Sequence, residues 1–114
     1  MNIIKRNKEL NFTEENIRSL TKSVTELKDI LTKIGTSLGQ QELTNVLASA
    51  IKKDSKLFKK HVLVNELFGG SGALWELNCG NDNLQSEFKN KLDNFCRDII
   101  KIGIKNHRIR QVML

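Results

Sequence analysis

Proline and tyrosine are absent from this chain, tryptophan occurs once, and histidine and cysteine occur twice each. Most of these shortages remove a class of function. Cys79 and Cys96 have no Cys-x-x-Cys spacing and no histidine at ligand spacing, so reduced thiols are favoured over a bridge or a metal site. They read as reduced, buried thiols of a cytoplasmic protein. His61 and His107 belong to no metal-ligand or nucleophile–base motif, and the acidic residues are scattered among lysines as helix-face charges are. No catalytic residue, metal site or cofactor is assigned, and an enzyme is not expected. Long apolar runs are missing as well. MNIIKRNKEL reaches two consecutive apolar residues before charge begins, and no stretch approaches the roughly eighteen needed to span a bilayer, so neither a signal peptide nor membrane insertion is expected. The lack of proline and tyrosine beside abundant lysine, asparagine and isoleucine reads as coding bias towards A and T rather than as function.

With 114 residues, 39% of them hydrophobic, the chain has material for one domain with its own core. A domain of this size buries roughly two-thirds of its unfolded surface and needs no staples. A single domain over residues 1–114 is expected, with flexible ends at 1–12 and 106–114. Apolar residues then mark the helices. Ile17, Leu20, Val24, Leu27, Leu31 and Ile34 recur at spacings of 3, 4, 3, 4 and 3, which predicts a helix from Thr13 to Ile34 with one apolar seam. Thr13 is the expected N-cap, Glu14 and Glu15 favour the positive end of the helix dipole, and Gly35 ends the element. Ile30 widens the stripe beyond a strict heptad seam, so packing within a monomer is favoured over a helical-seam dimer.

A second helix is expected from Gln40 to Lys53, with Leu43, Val46, Leu47, Ala50 and Ile51 on one side. Glu42 is the only charge between Gly35 and Ile51, although 28% of the chain is charged, and this deficit predicts a central, largely covered helix. Next comes the densest positive patch, Lys52, Lys53, Lys56, Lys59 and Lys60, opposed only by Asp54. Phe58, Val62, Leu63, Leu67 and Phe68 supply apolar positions for a third helix, with Val62 to Val64 as a candidate extended break. The last long helix starts near Asp82 or Asn83 and carries Leu84, Phe88, Leu92, Phe95, Cys96, Ile99, Ile100 and Ile104 at helical spacing. Lys105, His107, Arg108 and Arg110 follow as a solvated basic end. The fold class is therefore all-α, a compact four- or five-helix bundle with a glycine-rich corner before the last long helix.

That corner lies in LFGGSGALWEL, Leu67 to Leu77, where Gly69, Gly70 and Gly72 interrupt the helical pattern just ahead of Trp75. The glycines match neither G-x-x-x-x-G-K-[ST] nor G-x-G-x-x-G between strand and helix, so a tight helix-to-helix turn is favoured over phosphate binding. Trp75 is expected to pack beneath the turn with its N–H partnered, or else to mark a contact surface. Glu76 and Asp82, flanking Cys79, are the least bland acidic residues and read as solvated or capping charges.

Phe68-Gly69-Gly70-Ser71-Gly72-Ala73-Leu74-Trp75-Glu76-Leu77, followed by a polar gap and a long amphipathic helix, resembles a family of small uncharacterised bacterial all-helical domains. That family has a phenylalanine, a Gly-Gly-x-Gly corner, a small residue and a Leu-x-acid-Leu run. The likeness covers Leu63 to Ile102. Ala73 stands where the family pattern has serine and Trp75 where it has a small polar residue, so no hydroxyl role carries over. The resemblance brings no biochemical activity with it. It implies an accessory or immunity-like protein.

Nineteen Lys and Arg against thirteen Asp and Glu leave a net charge of +6, which accelerates encounter with an acidic protein or a nucleic acid. The nucleic-acid reading has basic clusters at Lys52 to Lys60 and Arg97 to Arg110. It lacks an RNA-recognition signature, a zinc finger and basic–aromatic interleaving, and a helix-turn-helix over residues 40 to 68 is a weak geometric match. The favoured expectation is a small binding protein, immunity-like, that engages an acidic protein surface through Lys52, Lys53, Lys56, Lys59, Lys60 and Trp75. A basic nucleic-acid-binding accessory protein is the alternative.

Overall fold

Thr13 starts the first helix, its Oγ1 accepting from the Asn16 backbone N–H at 3.1 Å, with Glu14 and Glu15 in the first turn. In the computed structural model, which describes residues 10–113, the elements are α1 (Glu14–Ile34), α2 (Gln40–Ile51), α3 (Ser55–Val62), α4 (Asn65–Phe68), a 3-10 turn (Leu74–Glu76), α5 (Asp82–Ile102) and α6 (His107–Val112). The protein is all-helical, and no strand occurs among the described residues. The expected N-terminal flexible end lies outside the described residues over 1–9. Leu10 to Phe12 are docked: the Leu10 N–H donates to Ser55 Oγ at 3.0 Å, and the Asn11 N–H to the Ile102 carbonyl at 2.8 Å. The Phe12 ring meets Phe58 edge-on at 5.3 Å.

The middle of the predicted α1 seam, with Ile30 beside it, is buried inside the chain, while Ile17 and Ile34 at its ends are partly buried. Leu20, Val24, Leu27, Ile30 and Leu31 are each at most 2% exposed and belong to one core with Phe88, Leu92, Phe95, Cys96, Ile99 and Ile102 of α5. Three polar contacts flank the seam. Ser19 Oγ donates to Asp98 Oδ1 at 2.7 Å, Lys91 pairs with Glu26 at 3.4 Å and Lys33 with Glu87 at 3.5 Å. As the α1 numbers rise the α5 numbers fall, so the two long helices run antiparallel. The Lys33–Glu87 pair is solvent-exposed and adds little energy, but its sign pattern agrees with this register. Asp98, 8% exposed, sits within a stripe that periodicity marks as apolar, and the Ser19 hydroxyl supplies a partner for its carboxylate.

α2 packs on α1 and α3. It is not the covered central helix its missing charges suggest, because Gln41, Thr44, Ala48 and Ile51 face solvent and Ile51 is 58% exposed. The deficit of charge belongs to an outward face built from neutral residues. Lys28 Nζ donates to Thr44 Oγ1, and Gln40 Nε2 donates to the Lys28 carbonyl at 3.2 Å, tying α2 to α1 along that face. α2 also stops two residues earlier than predicted, at Ile51.

α3 ends at Val62, and Val64 adopts extended backbone before the single turn of α4. The Val62–Val64 break is thus placed at Leu63–Val64. α5 is capped one residue earlier than predicted, by Asn81, whose Oδ1 accepts from the Leu84 N–H at 3.0 Å. It ends at Ile102, and Ile104 is buried beyond the helix rather than in its stripe. Residues 107–112, read from sequence as a solvated end, form α6 with Ile109 fully buried. Among the described residues no helix is long and apolar enough to cross a membrane.

Two outcomes test this core. Leu27 is completely buried, so Leu27→Asp leaves a carboxylate without water and is expected to cost several kcal/mol, on the order of the whole stability of such a domain. An unchanged thermal midpoint contradicts the seam. Cys96 is also completely buried, and burial together with the nearby Asp93 carboxylate pushes its thiol up to about 12. An unfolded thiol ionises near about 8.5. Between those values the unfolded chain releases a proton that the native state keeps, so this contribution is intact below about 8.5 and is lost as pH rises towards 12. Denaturant titrations across that range should show a smaller loss of stability for Cys96→Ala than for the parent, and identical slopes would refute the buried thiol.

Candidate functional site

Three helices end in the same backbone figure, and one of them is exceptional. At the ends of α1 and α5 the glycine N–H reaches back to Thr32 O and Ile100 O, and the next N–H to Leu31 O and Ile99 O. Gly35 and Gly103 take the positive φ this requires, 92° and 129°. α2 closes with the same pair of bonds, Lys53 N–H to Ala50 O at 2.9 Å and Asp54 N–H to Ser49 O at 3.1 Å. Here the left-handed position, φ 56°, is held by a lysine, the only non-glycine residue with positive φ among those described. A side chain in that conformation costs about 1 kcal/mol or more relative to glycine.

The turn at Lys53 sends the chain straight into α3. Asp54, the one acid within the basic run, is its N-cap, and Oδ1 accepts from the Leu57 N–H at 3.0 Å. Phe58 and Val62 fix α3 by their burial, which leaves Lys56, Lys59 and Lys60 on the outward face at spacings of three and four. Lys52 and Lys53 extend that positive surface around the corner, and all five lysines are exposed. The ion pairs among the described residues involve Lys33, Lys91 and Arg97, and none involves these five. Leu63, next after α3, is 44% exposed at the edge of the run. It lines a groove of about 310 Å³ with Leu10, Lys59, Gly103, Ile104 and Lys105.

The glycine corner is a separate construction. Gly72 has φ +86°, whereas Gly69 is required for space: a Cβ there would lie 2.6 Å from both the Cα and the carbonyl oxygen of Asn65. Gly70 meets neither constraint. Trp75 is half-buried on this corner, its Nε1 donating to the Gly69 carbonyl at 2.8 Å. Arg108 of α6 donates from Nη1 to the same carbonyl and to that of Phe68, and its guanidinium carbon lies 4.5 Å from the centre of the tryptophan ring. Trp75 therefore joins the glycine corner to α6, while the five lysines share the α2–α3 surface. Arg108 carries no sequence signal for this role beyond its place in a basic end.

The remaining chemistry-bearing side chains are dispersed. Glu76 and Asp82 are exposed, with Asp82 in the first turn of α5. Burial pushes the Cys79 thiol above its ordinary value, and the Cys79 N–H donates to Gln85 Oε1 at 2.7 Å. No group of three or more His, Cys, Asp and Glu side chains suited to holding a metal occurs among the described residues. Comparison of the chain with protein-family models, with curated proteins and with solved structures gives no significant match.

The backbone assignments predict an ordered set of stabilities in urea titrations. Gly69→Ala, which collides with Asn65, and Gly72→Ala, which forces positive φ on alanine, should each lose about 1 kcal/mol or more. Gly70→Ala should stay within about 0.5 kcal/mol of the parent. Lys53→Gly should gain about 1 kcal/mol by relieving the left-handed side chain. A loss at Gly70 equal to that at Gly69, or no gain at position 53, would contradict these roles.

Proposed function

We propose that this chain is a small soluble binding protein that engages an acidic protein surface through the α2–α3 corner. The observation that carries the reading is the cluster of five exposed lysines that take no part in the ion pairs among the described residues, with its single interspersed acid engaged as a helix cap. Such a surface raises the encounter rate with an oppositely charged partner. The left-handed lysine supports the same reading, because glycine at position 53 would close α2 with less strain and carry no charge. The resemblance of Phe68 to Leu77 to small bacterial helical domains adds an immunity-like role, binding and neutralising a toxin or effector in the cytoplasm, to what the surface itself supports.

Lys56→Glu with Lys60→Glu, both on the exposed face of α3, should leave the thermal midpoint within a few degrees of the parent. The pair should slow association with the acidic partner by about tenfold at low salt and flatten its salt dependence. A pull-down from the source cell, run beside a nucleic-acid titration over a salt series, checks this. Stoichiometric recovery of an acidic protein by the parent and its loss with the double variant supports the reading. Binding to nucleic acid that falls steeply with salt, with no protein partner, overturns it in favour of a nucleic-acid accessory role.

A further inference from the structure

Among the described residues two large apolar side chains are exposed, Ile51 and Leu63, and Leu63 is the one that opens into a groove shared with lysines. The walls of that groove come from three parts of the chain: Leu10 ahead of α1, Lys59 and Leu63 of the α3 end, and Gly103, Ile104 and Lys105 between α5 and α6. Each part is tied by hydrogen bonds, the Leu63 N–H donating to the Lys59 carbonyl at 3.1 Å. Leu10 is tied to Ser55, Asn11 to the Ile102 carbonyl, and Gly103 and Ile104 to the last turn of α5. The groove is therefore preformed. It is also where the two basic stretches of the sequence meet, since Lys59 belongs to the run from Lys52 to Lys60 and Lys105 to the one from Arg97 to Arg110.

We propose that this groove seats one apolar side chain of an acidic segment on the partner protein, with carboxylates beside that side chain meeting Lys59 and Lys105. The two kinds of lining are needed together. A purely acidic surface would satisfy the lysines and leave Leu63 and Leu10 uncovered, whereas an apolar segment without acids would bring no counter-charge to two lysines at the rim. A nucleic-acid strand would supply phosphates, but the lining contains no aromatic platform on which a base could stack. About 310 Å³ is at the small end of binding pockets, which suits a single side-chain anchor rather than a whole ligand. Covering a half-exposed leucine against such an anchor adds affinity through apolar burial, and the lysines fix which segments can bring it there.

The proposal rests on the acidic-partner reading, and the test separates the two. The full chain is titrated, by anisotropy of a labelled peptide, with Glu-Glu-Leu-Glu-Asp-Leu-Glu-Glu and with the same peptide carrying serine for both leucines; oligothymidylate is the third probe. The leucine peptide is expected to bind about tenfold more tightly than the serine peptide. Leu63→Ser should remove that preference while leaving serine-peptide binding unchanged, and Lys105→Glu should weaken both peptides. Lys105 is exposed and lies outside every helix, so its variant tests the groove even if Leu63→Ser fails to fold. Equal binding of both peptides to the parent, or a leucine preference that survives Leu63→Ser, overturns the groove and leaves the acidic-partner reading standing. Binding of neither peptide overturns both, and tight oligothymidylate binding alone assigns the lysines to nucleic acid.

Discussion

Burial of the seam between α1 and α5 is the constraint to which the other elements are fastened. Both helices carry an apolar stripe that runs most of their length, and neither stripe could remain in water without a large hydrophobic penalty. Once they lie antiparallel, α1 presents its neighbouring flank to α2 and the end of α5 presents a carbonyl, that of Ile102, to the segment entering α1. That bond returns Phe12 to the ring of Phe58, and Phe58 orients α3. The exposed lysines owe their common direction to this chain of contacts, because the buried side of an eight-residue helix determines its outward side.

Different physical signals made different parts of this protein legible in its sequence. The α1 seam was readable because burial on one face imposes a period, and Thr13 and Gly35 were readable because helix ends need particular side chains. The missing charge of residues 35–51 was misleading. Absence of charge is compatible with burial and with a neutral solvent face, and Gln41, Thr44 and Ala48 form the latter. Asp98 was hidden for the opposite reason: a charged residue within a stripe reads as an interruption until Ser19, far away in sequence, is seen to meet it. The glycine corner was evident, but composition does not distinguish a glycine needed for φ, Gly72, from one needed for clearance, Gly69.

The candidate site was legible as a charge run and not as a shape. The run from Lys52 to Lys60 was legible in the sequence as a positive patch on a helix with Phe58 and Val62 among its apolar positions. The meeting of Lys59 with Lys105 across Leu63 and Ile104 was not, because those residues lie at the two ends of separate elements joined only by the fold. Neutral and basic surfaces are consequently segregated, with the outer side of α2 nearly free of charge and that of α3 strongly positive. Lys53 stands at the boundary, in a conformation in which most side chains are disfavoured.

The clasp of Trp75 between the Gly69 carbonyl and Arg108 has an optical consequence. With no tyrosine in the chain, this indole is its dominant intrinsic fluorophore, and its hydrogen-bond and cation–π partners lie in the corner and in α6. Emission therefore reports whether the carboxy-terminal helix is latched, whereas far-ultraviolet circular dichroism is weighted towards the two 21-residue helices. Coincident curves from the two probes would mean that latch and core melt as one cooperative unit, and an earlier fluorescence transition would identify the latch as a region that opens by itself.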